Sequence, residues 1–79
     1  MERRQELVKI LHQRLENARI SVRKVREEIR DMIAGEEKSG GMSEDEKFKL
    51  QEDLEKMVKD YNEEIRTIGE NKEEEITTI

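Results

Sequence analysis

The chain has 79 residues, of which 32% are hydrophobic, 3% aromatic and 47% charged, with a net charge of −5. This length allows one small domain with little room for a self-sufficient core, and the absence of cysteine excludes disulfides, thiolate nucleophiles and Cys-based metal sites. Nothing in a cysteine-free chain requires an oxidising compartment, so we expect a cytoplasmic protein. No apolar run approaches the roughly 20 residues that span a bilayer, so we expect no membrane partner.

The charge is divided unevenly between the two halves of the chain. Residues 1–34 carry nine Lys or Arg against six Asp or Glu, whereas residues 35–79 carry seven against fifteen. The overall acidity argues weakly against nucleic acid as a partner, but the first half has the sign of charge that faces phosphate.

The first predicted element is a helix over residues 2–35, about 50 Å long. Its apolar residues recur three and four positions apart over four heptads, which predicts a continuous seam packed against a neighbouring helix. The members of this first seam are Val8, Leu11, Leu15, Ala18, Val22, Val25, Ile29 and Met32.

A glycine-containing stretch predicts a loop over residues 36–42, because glycine tolerates the positive φ that ends many helices. Ser43 and Glu46 then form a capping-box pattern that predicts the start of a second helix over residues 43–78. Its seam again has spacings of three and four, at Leu50, Leu54, Met57, Val58, Tyr61, Ile65 and Ile68. The sequence therefore predicts one all-α domain, residues 1–79, folded as an antiparallel two-helix hairpin.

Two helices leave part of each seam uncovered, since three or four helices are the usual minimum for a closed bundle. Dimerisation, a partner protein or another part of a longer parent protein would cover the remainder. Self-association through the uncovered seam is therefore expected.

Four arginines form the most informative polar pattern. Arg19, Arg23, Arg26 and Arg30 are four, three and four positions apart and share one side of the first helix, outside the seam. Guanidinium groups one helical turn apart can pair with successive phosphates of a nucleic-acid backbone. The alternative is a solvated helix surface in which the arginines pair with nearby acids, at Glu16, Glu27 and Asp31.

The remaining reactive side chains predict no catalysis, cofactor or metal. His12 and Glu16 lie four residues apart, but two ligands without a third make a poor metal site. A two-helix chain with one histidine has no water-excluding pocket for acid–base chemistry. We assign Phe48 and Tyr61 to packing rather than to base stacking.

Several segments in register resemble ribosome recycling factor. They are Arg3-Arg4, residues 7–10 (LVKI), residues 16–26 (ENARISVRKVR), the loop followed by Ser43-Glu44-Asp45-Glu46, and residues 71–76 (NKEEEI). The resemblance covers the whole chain, including the helix lengths and the loop position.

The resemblance implies a fold and a function. Family members have a three-helix bundle with a β-rich domain inserted after its first helix, and the chain resembles the last two bundle helices. They bind rRNA of the large ribosomal subunit and, with elongation factor G, separate the subunits after termination. Their rRNA-contacting arginines fall on Arg23 and Arg26, with Arg19 in the same row. Glu27 replaces a residue that is often basic, and Gly69 replaces an aliphatic one.

The expected function is therefore non-enzymatic action in ribosome recycling through rRNA contact by Arg19, Arg23 and Arg26. The alternative is a structural or self-associating helical module, native or engineered, that does not bind ribosomes.

Overall fold

The computed structural model describes residues 2–78 and contains two α-helices. Helix α1 spans Glu2–Lys38 and helix α2 spans Glu44–Thr77. They pack along their length as an antiparallel hairpin with principal extents of 59 × 15 × 9 Å. The predicted all-α two-helix hairpin is confirmed.

Helix α1 continues three residues beyond its predicted end at Gly35. It is terminated instead by Gly40, whose φ of +84° is in the left-handed region. The amide of Gly41 donates to the Glu36 carbonyl at 2.9 Å, and that of Gly40 donates to the Glu37 carbonyl at 3.1 Å. This pair of bonds is a Schellman motif, which satisfies the last carbonyls of the helix.

Helix α2 begins where the capping pattern predicts. The Ser43 hydroxyl oxygen accepts from the Glu46 amide at 3.1 Å, so Ser43 is the N-cap. The Glu46 carboxylate accepts from the same hydroxyl at 3.2 Å rather than reaching the Ser43 amide. The helix then continues through Gly69 to Thr77, where the Thr78 amide donates to the Glu74 carbonyl.

The contact between the helices is one narrow strip. Its only buried side chains in residues 2–78 are Ile33 and Leu54, together with the backbone of Gly69. Half-buried apolar residues complete it, from α1 at Val8, Leu11, Leu15, Ala18, Val22 and Ile29, and from α2 at Val58, Ile65 and Ile76.

Several predicted seam residues lie outside this strip. Val25 is 51% exposed, Met32 69%, Met57 57% and Tyr61 56%, and Leu50 and Ile68 are also exposed. At those turns of α1 the neighbours Arg26 and Ile33 face α2 instead. A helix with a single neighbour buries one strip, so the outer part of each predicted seam stays in solvent.

The exposed seam residues of both helices lie on the same side of the hairpin. One shallow, mainly apolar groove is lined by Ser21, Val22, Val25, Arg26 and Ile29 of α1 and by Leu54, Met57, Val58 and Tyr61 of α2. We call the apolar flank the set formed by Leu7 and the exposed seam residues Val25, Met32, Leu50, Met57, Tyr61 and Ile68.

Candidate nucleic-acid interface

The predicted arginine row lies on the flank of the hairpin opposite the apolar one. Because α1 is continuous from Glu2 to Lys38, the spacings of four, three and four hold Arg19, Arg23, Arg26 and Arg30 on successive turns of one side. Arg19, Arg23 and Arg26 line a groove between the helices whose far wall includes Asn62 of α2. We call this side, with the arginine row on α1 and Asn62 on α2, the basic flank.

Arg26 is held by a carboxylate of the other helix. Its Nε donates to Glu55 Oε1 at 2.9 Å and its Nη2 donates to Glu55 Oε2 at 3.0 Å, a bidentate pair. The third nitrogen, Nη1, lies 3.7 Å from Glu27. The hydrogen bond from Arg26 lowers the pKa of Glu55, against an opposing effect of desolvation. The guanidinium is therefore oriented before any ligand arrives.

The other arginines of the row differ in their partners. Arg19 is 3.6 Å from Glu16, and Arg30 is 4.0 Å from Glu27, each pair three residues apart along α1. Arg23 has no ion pair within residues 2–78, and Asp31 pairs with none of the row. The acids at Glu16 and Glu27 thus act as the solvated-surface alternative predicts, whereas Arg23 is left without an acidic partner.

Helix α2 brings further polar groups to the basic flank. Arg26 and Glu55 line a groove with Val58, Lys59, Asn62, Glu63 and Arg66. Sequence reasoning missed Glu55 and this wall of α2. The position of these α2 residues beside the arginines depends on the register of the two helices, that is, on which residues lie at the same height. The spacing of residues within one helix does not indicate that register.

The remaining candidate residues have other environments. His12 Nε2 lies 3.1 Å from Glu73 Oε1 across the helices, near the open end of the hairpin. No cluster of three or more metal-ligating side chains occurs in the part of the chain that the structure describes. Phe48 is 63% exposed and Tyr61 56%, so neither packs in the contact strip between the two helices. Phe48 lines a groove with Arg26 and Arg30, and Tyr61 lies on the apolar flank.

Comparison with known proteins identifies the family. The family model described as ribosome recycling factor matches residues 1–77, which include the entire arginine row. The chain belongs to the ribosome recycling factor family. The predicted resemblance is therefore confirmed.

Relatives in this family align with nearly all of the chain. It is 46% identical over 78 residues to the ribosome-recycling factor of Aquifex aeolicus and 40% identical to that of Hydrogenobaculum sp., covering 99% of this chain and 41% of each relative. It is 37% identical to the Bacillus subtilis ribosome-recycling factor, of which it covers 42%. The chain thus spans about two fifths of the length of these relatives. No solved structure matches it.

Neither helix, over the residues for which the structure gives coordinates, has a stretch long and apolar enough to cross a membrane.

Proposed function

We propose that the chain binds rRNA of the large ribosomal subunit through Arg19, Arg23 and Arg26. The observation that carries this proposal is the open basic flank, where three guanidinium groups line one groove and Arg23 has no acidic partner among residues 2–78. The family match over residues 1–77 supports a ribosomal ligand for this surface.

The groups on this flank suit a phosphate backbone. Guanidinium groups pair bidentately with phosphate, and each neutralised phosphate releases counterions, which favours binding at low salt. Arg26 would exchange Glu55 for a phosphate. That exchange has a small cost because the side chain of Glu55 is 49% exposed, and exposed ion pairs contribute little to stability.

We further infer that the parent activity is ribosome recycling after termination, with elongation factor G as protein partner, in the cytoplasm. In this proposal the chain acts by binding and performs no catalytic step. The apolar flank would pack against the third helix of the bundle, which leaves the basic flank free for RNA.

The test is a titration of purified large ribosomal subunits with the chain at several salt concentrations. For about three phosphate contacts, the logarithm of the association constant should fall with the logarithm of salt at a slope of roughly −2 to −3. Arg23→Ala and Arg26→Ala should each weaken binding and flatten the slope by about one unit. Arg23→Lys should weaken it too, because lysine lacks the bidentate fork.

Lys24→Ala is the matched control, because Lys24 is an exposed cation beside Arg23 that lies on the side of α1 facing away from α2. This substitution removes one positive charge, as the arginine-to-alanine variants do, but leaves all arginines of the row unchanged. Equal affinities and slopes for the parent and all alanine variants would show that the row is only a solvated surface.

A second candidate function is favoured by a different observation, the exposed apolar flank. Val25, Met57 and Tyr61 are each more than half exposed along a groove between the helices. Under this alternative, the chain is an interaction module that pairs with a second copy, and the arginines only keep it soluble. Retained self-association together with absent ribosome binding would favour this alternative.

A further inference from the structure

The groove on the basic flank has one wall from α1 and one wall from α2. The proposed function uses only residues of the α1 wall. Cross-helix contacts between Arg26 and Glu55 and between Leu15 and Gly69 fix the register of the hairpin. In an antiparallel pair these two contacts place Asn62 level with residues 19–22, between Arg19 and Arg23, and Arg66 level with residues 15–18, next to Arg19. Asn62 lines the groove that contains Arg19 and Arg23, and Arg66 lines its continuation beside Arg26.

The joined grooves are cationic in an acidic chain. Their charged lining consists of Arg19, Arg23, Arg26, Lys59 and Arg66 against Glu55 and Glu63, five cations and two carboxylates. The whole chain, by contrast, has a net charge of −5. One of the two carboxylates, Glu55, is already engaged by Arg26.

Arg66 resembles Arg23 in having no acidic partner. Among residues 2–78 neither arginine has an ion pair, whereas Arg19 is near Glu16 and Arg26 near Glu55 and Glu27. Two unpaired guanidinium groups therefore line two adjoining grooves, Arg23 on the α1 wall of one and Arg66 on the α2 wall of the other, and Asn62 lines both. A guanidinium group has five N–H donors and no acceptor. The ligand that suits these two arginines is therefore an anion with several acceptor oxygens.

We propose that α2 forms the second wall of the RNA-binding groove, with Arg66 binding a backbone phosphate and the Asn62 side-chain amide donating to a phosphate or ribose oxygen. This inference rests on the proposed function and adds α2 residues to the rRNA contact. The RNA backbone then lies along the groove between the helices and is contacted by residues of both α1 and α2, rather than by α1 alone. We choose RNA rather than an acidic protein as the ligand because the groove presents a line of bidentate guanidinium donors and a neutral amide. These groups match the consecutive phosphates of a nucleic-acid backbone.

The second wall changes the expected salt dependence. Four phosphate contacts instead of three predict a slope of roughly −3 to −4 for the parent chain. Arg66→Ala should flatten that slope by about one unit and weaken binding roughly tenfold at low salt. Asn62→Ala should weaken binding less and leave the slope unchanged, because it removes a neutral donor.

The experiment titrates large ribosomal subunits with the full chain and its variants Arg66→Ala, Asn62→Ala, Arg23→Ala and Lys56→Ala. Lys56 is the matched control, an exposed α2 cation on the side of the helix away from α1. Circular dichroism checks that each variant keeps its helices, as expected for exposed residues without ion pairs.

The outcomes separate this inference from the proposed function. If Arg23→Ala weakens binding while Arg66→Ala behaves like Lys56→Ala, the second wall is refuted and rRNA binding by the row stands. If neither arginine variant differs from Lys56→Ala, or the parent shows no salt-dependent binding, both are refuted. Polyglutamate competing as well as RNA of equal charge would overturn the assignment to RNA.

Discussion

Arg26 has one observed role and one proposed role. Its bidentate pair with Glu55 links α1 to α2, and its position in the row makes it a proposed phosphate ligand. The side chain of Arg26 is only 29% exposed, because the residue lies at the edge of the contact strip. Under the proposed function, structural pairing and RNA contact would compete for the same guanidinium group.

This pairing predicts a pH dependence of stability. Because Arg26 lowers the pKa of Glu55 in the folded state below its ordinary value of 4.5, the pair stabilises the hairpin above that value. The contribution is lost as the pH falls through the lowered folded-state pKa, when the carboxylate becomes protonated. Glu55→Gln should therefore lower the melting temperature near neutral pH, and the difference from the parent should shrink below about pH 4.

Thermal melts followed by circular dichroism measure this difference. Glu52→Gln serves as control, because Glu52 lines the adjacent groove beside Arg30 but has no ion pair in the region with coordinates. A Glu55→Gln variant that stays below the parent by the same amount at every pH would contradict the assigned role of the charge.

At the scale of the helices, local signals in the sequence were sufficient to predict the architecture. Heptad spacing predicts two helices, and the Ser43 pattern correctly predicts the start of α2. The predicted end of α1 at Gly35 is three residues too early. Three glycines occur between residues 35 and 41, and their spacing does not reveal that Gly40 rather than Gly35 adopts a positive φ.

The contact strip and the full site could not be predicted in the same way. The apolar residues of a helix mark every side that packs against something, whichever neighbour that is. The pattern therefore does not distinguish residues that face α2 from residues such as Val25, which lie on the adjacent flank. The arginine row was predictable because it repeats within one helix. Glu55 and Arg66 were not, since their place beside the row depends on cross-helix register.

Two glycines inside the helices provide a matched test of helix contact. A Cβ on Gly35 would have no neighbour within 4 Å, so Gly35→Ala should stabilise the hairpin by about 0.5–1 kcal/mol through helix propensity alone. A Cβ on Gly69 would lie 2.6 and 3.2 Å from the two terminal carbons of Leu15. Gly69→Ala should therefore stabilise the hairpin less than Gly35→Ala, because the end of the Leu15 side chain must shift to admit the new methyl group.

Denaturant unfolding of the two variants gives the comparison. Adding Leu15→Ala to Gly69→Ala isolates the clash, since the truncated side chain leaves room for the new methyl group. Equal stabilisation by the two glycine substitutions would mean that the helices do not approach closely at Gly69.

For the whole molecule, the main feature is how little the two helices bury. Ile33 and Leu54 are the only apolar side chains buried in residues 2–78, and the hairpin is 59 Å long but only 9 Å thick. Such a small core contributes little free energy against the entropy of ordering the chain, so small domains usually need an additional partner or cross-link. The apolar flank holds seven of the ten large apolar residues that are exposed in residues 2–78.

We therefore expect the isolated chain to self-associate through the apolar flank, with melting temperatures that rise with protein concentration. Val25→Lys should shift it toward monomer and lower its melting temperature at high concentration, because the new charge would be buried between copies. Ile20→Lys is the matched control, since Ile20 is 48% exposed against 51% for Val25 but lies on the side of α1 away from both α2 and the apolar flank. Sedimentation equilibrium measures the association. A compact parent monomer with concentration-independent melting, or equal effects of the two lysine substitutions, would show that the apolar flank does not drive assembly.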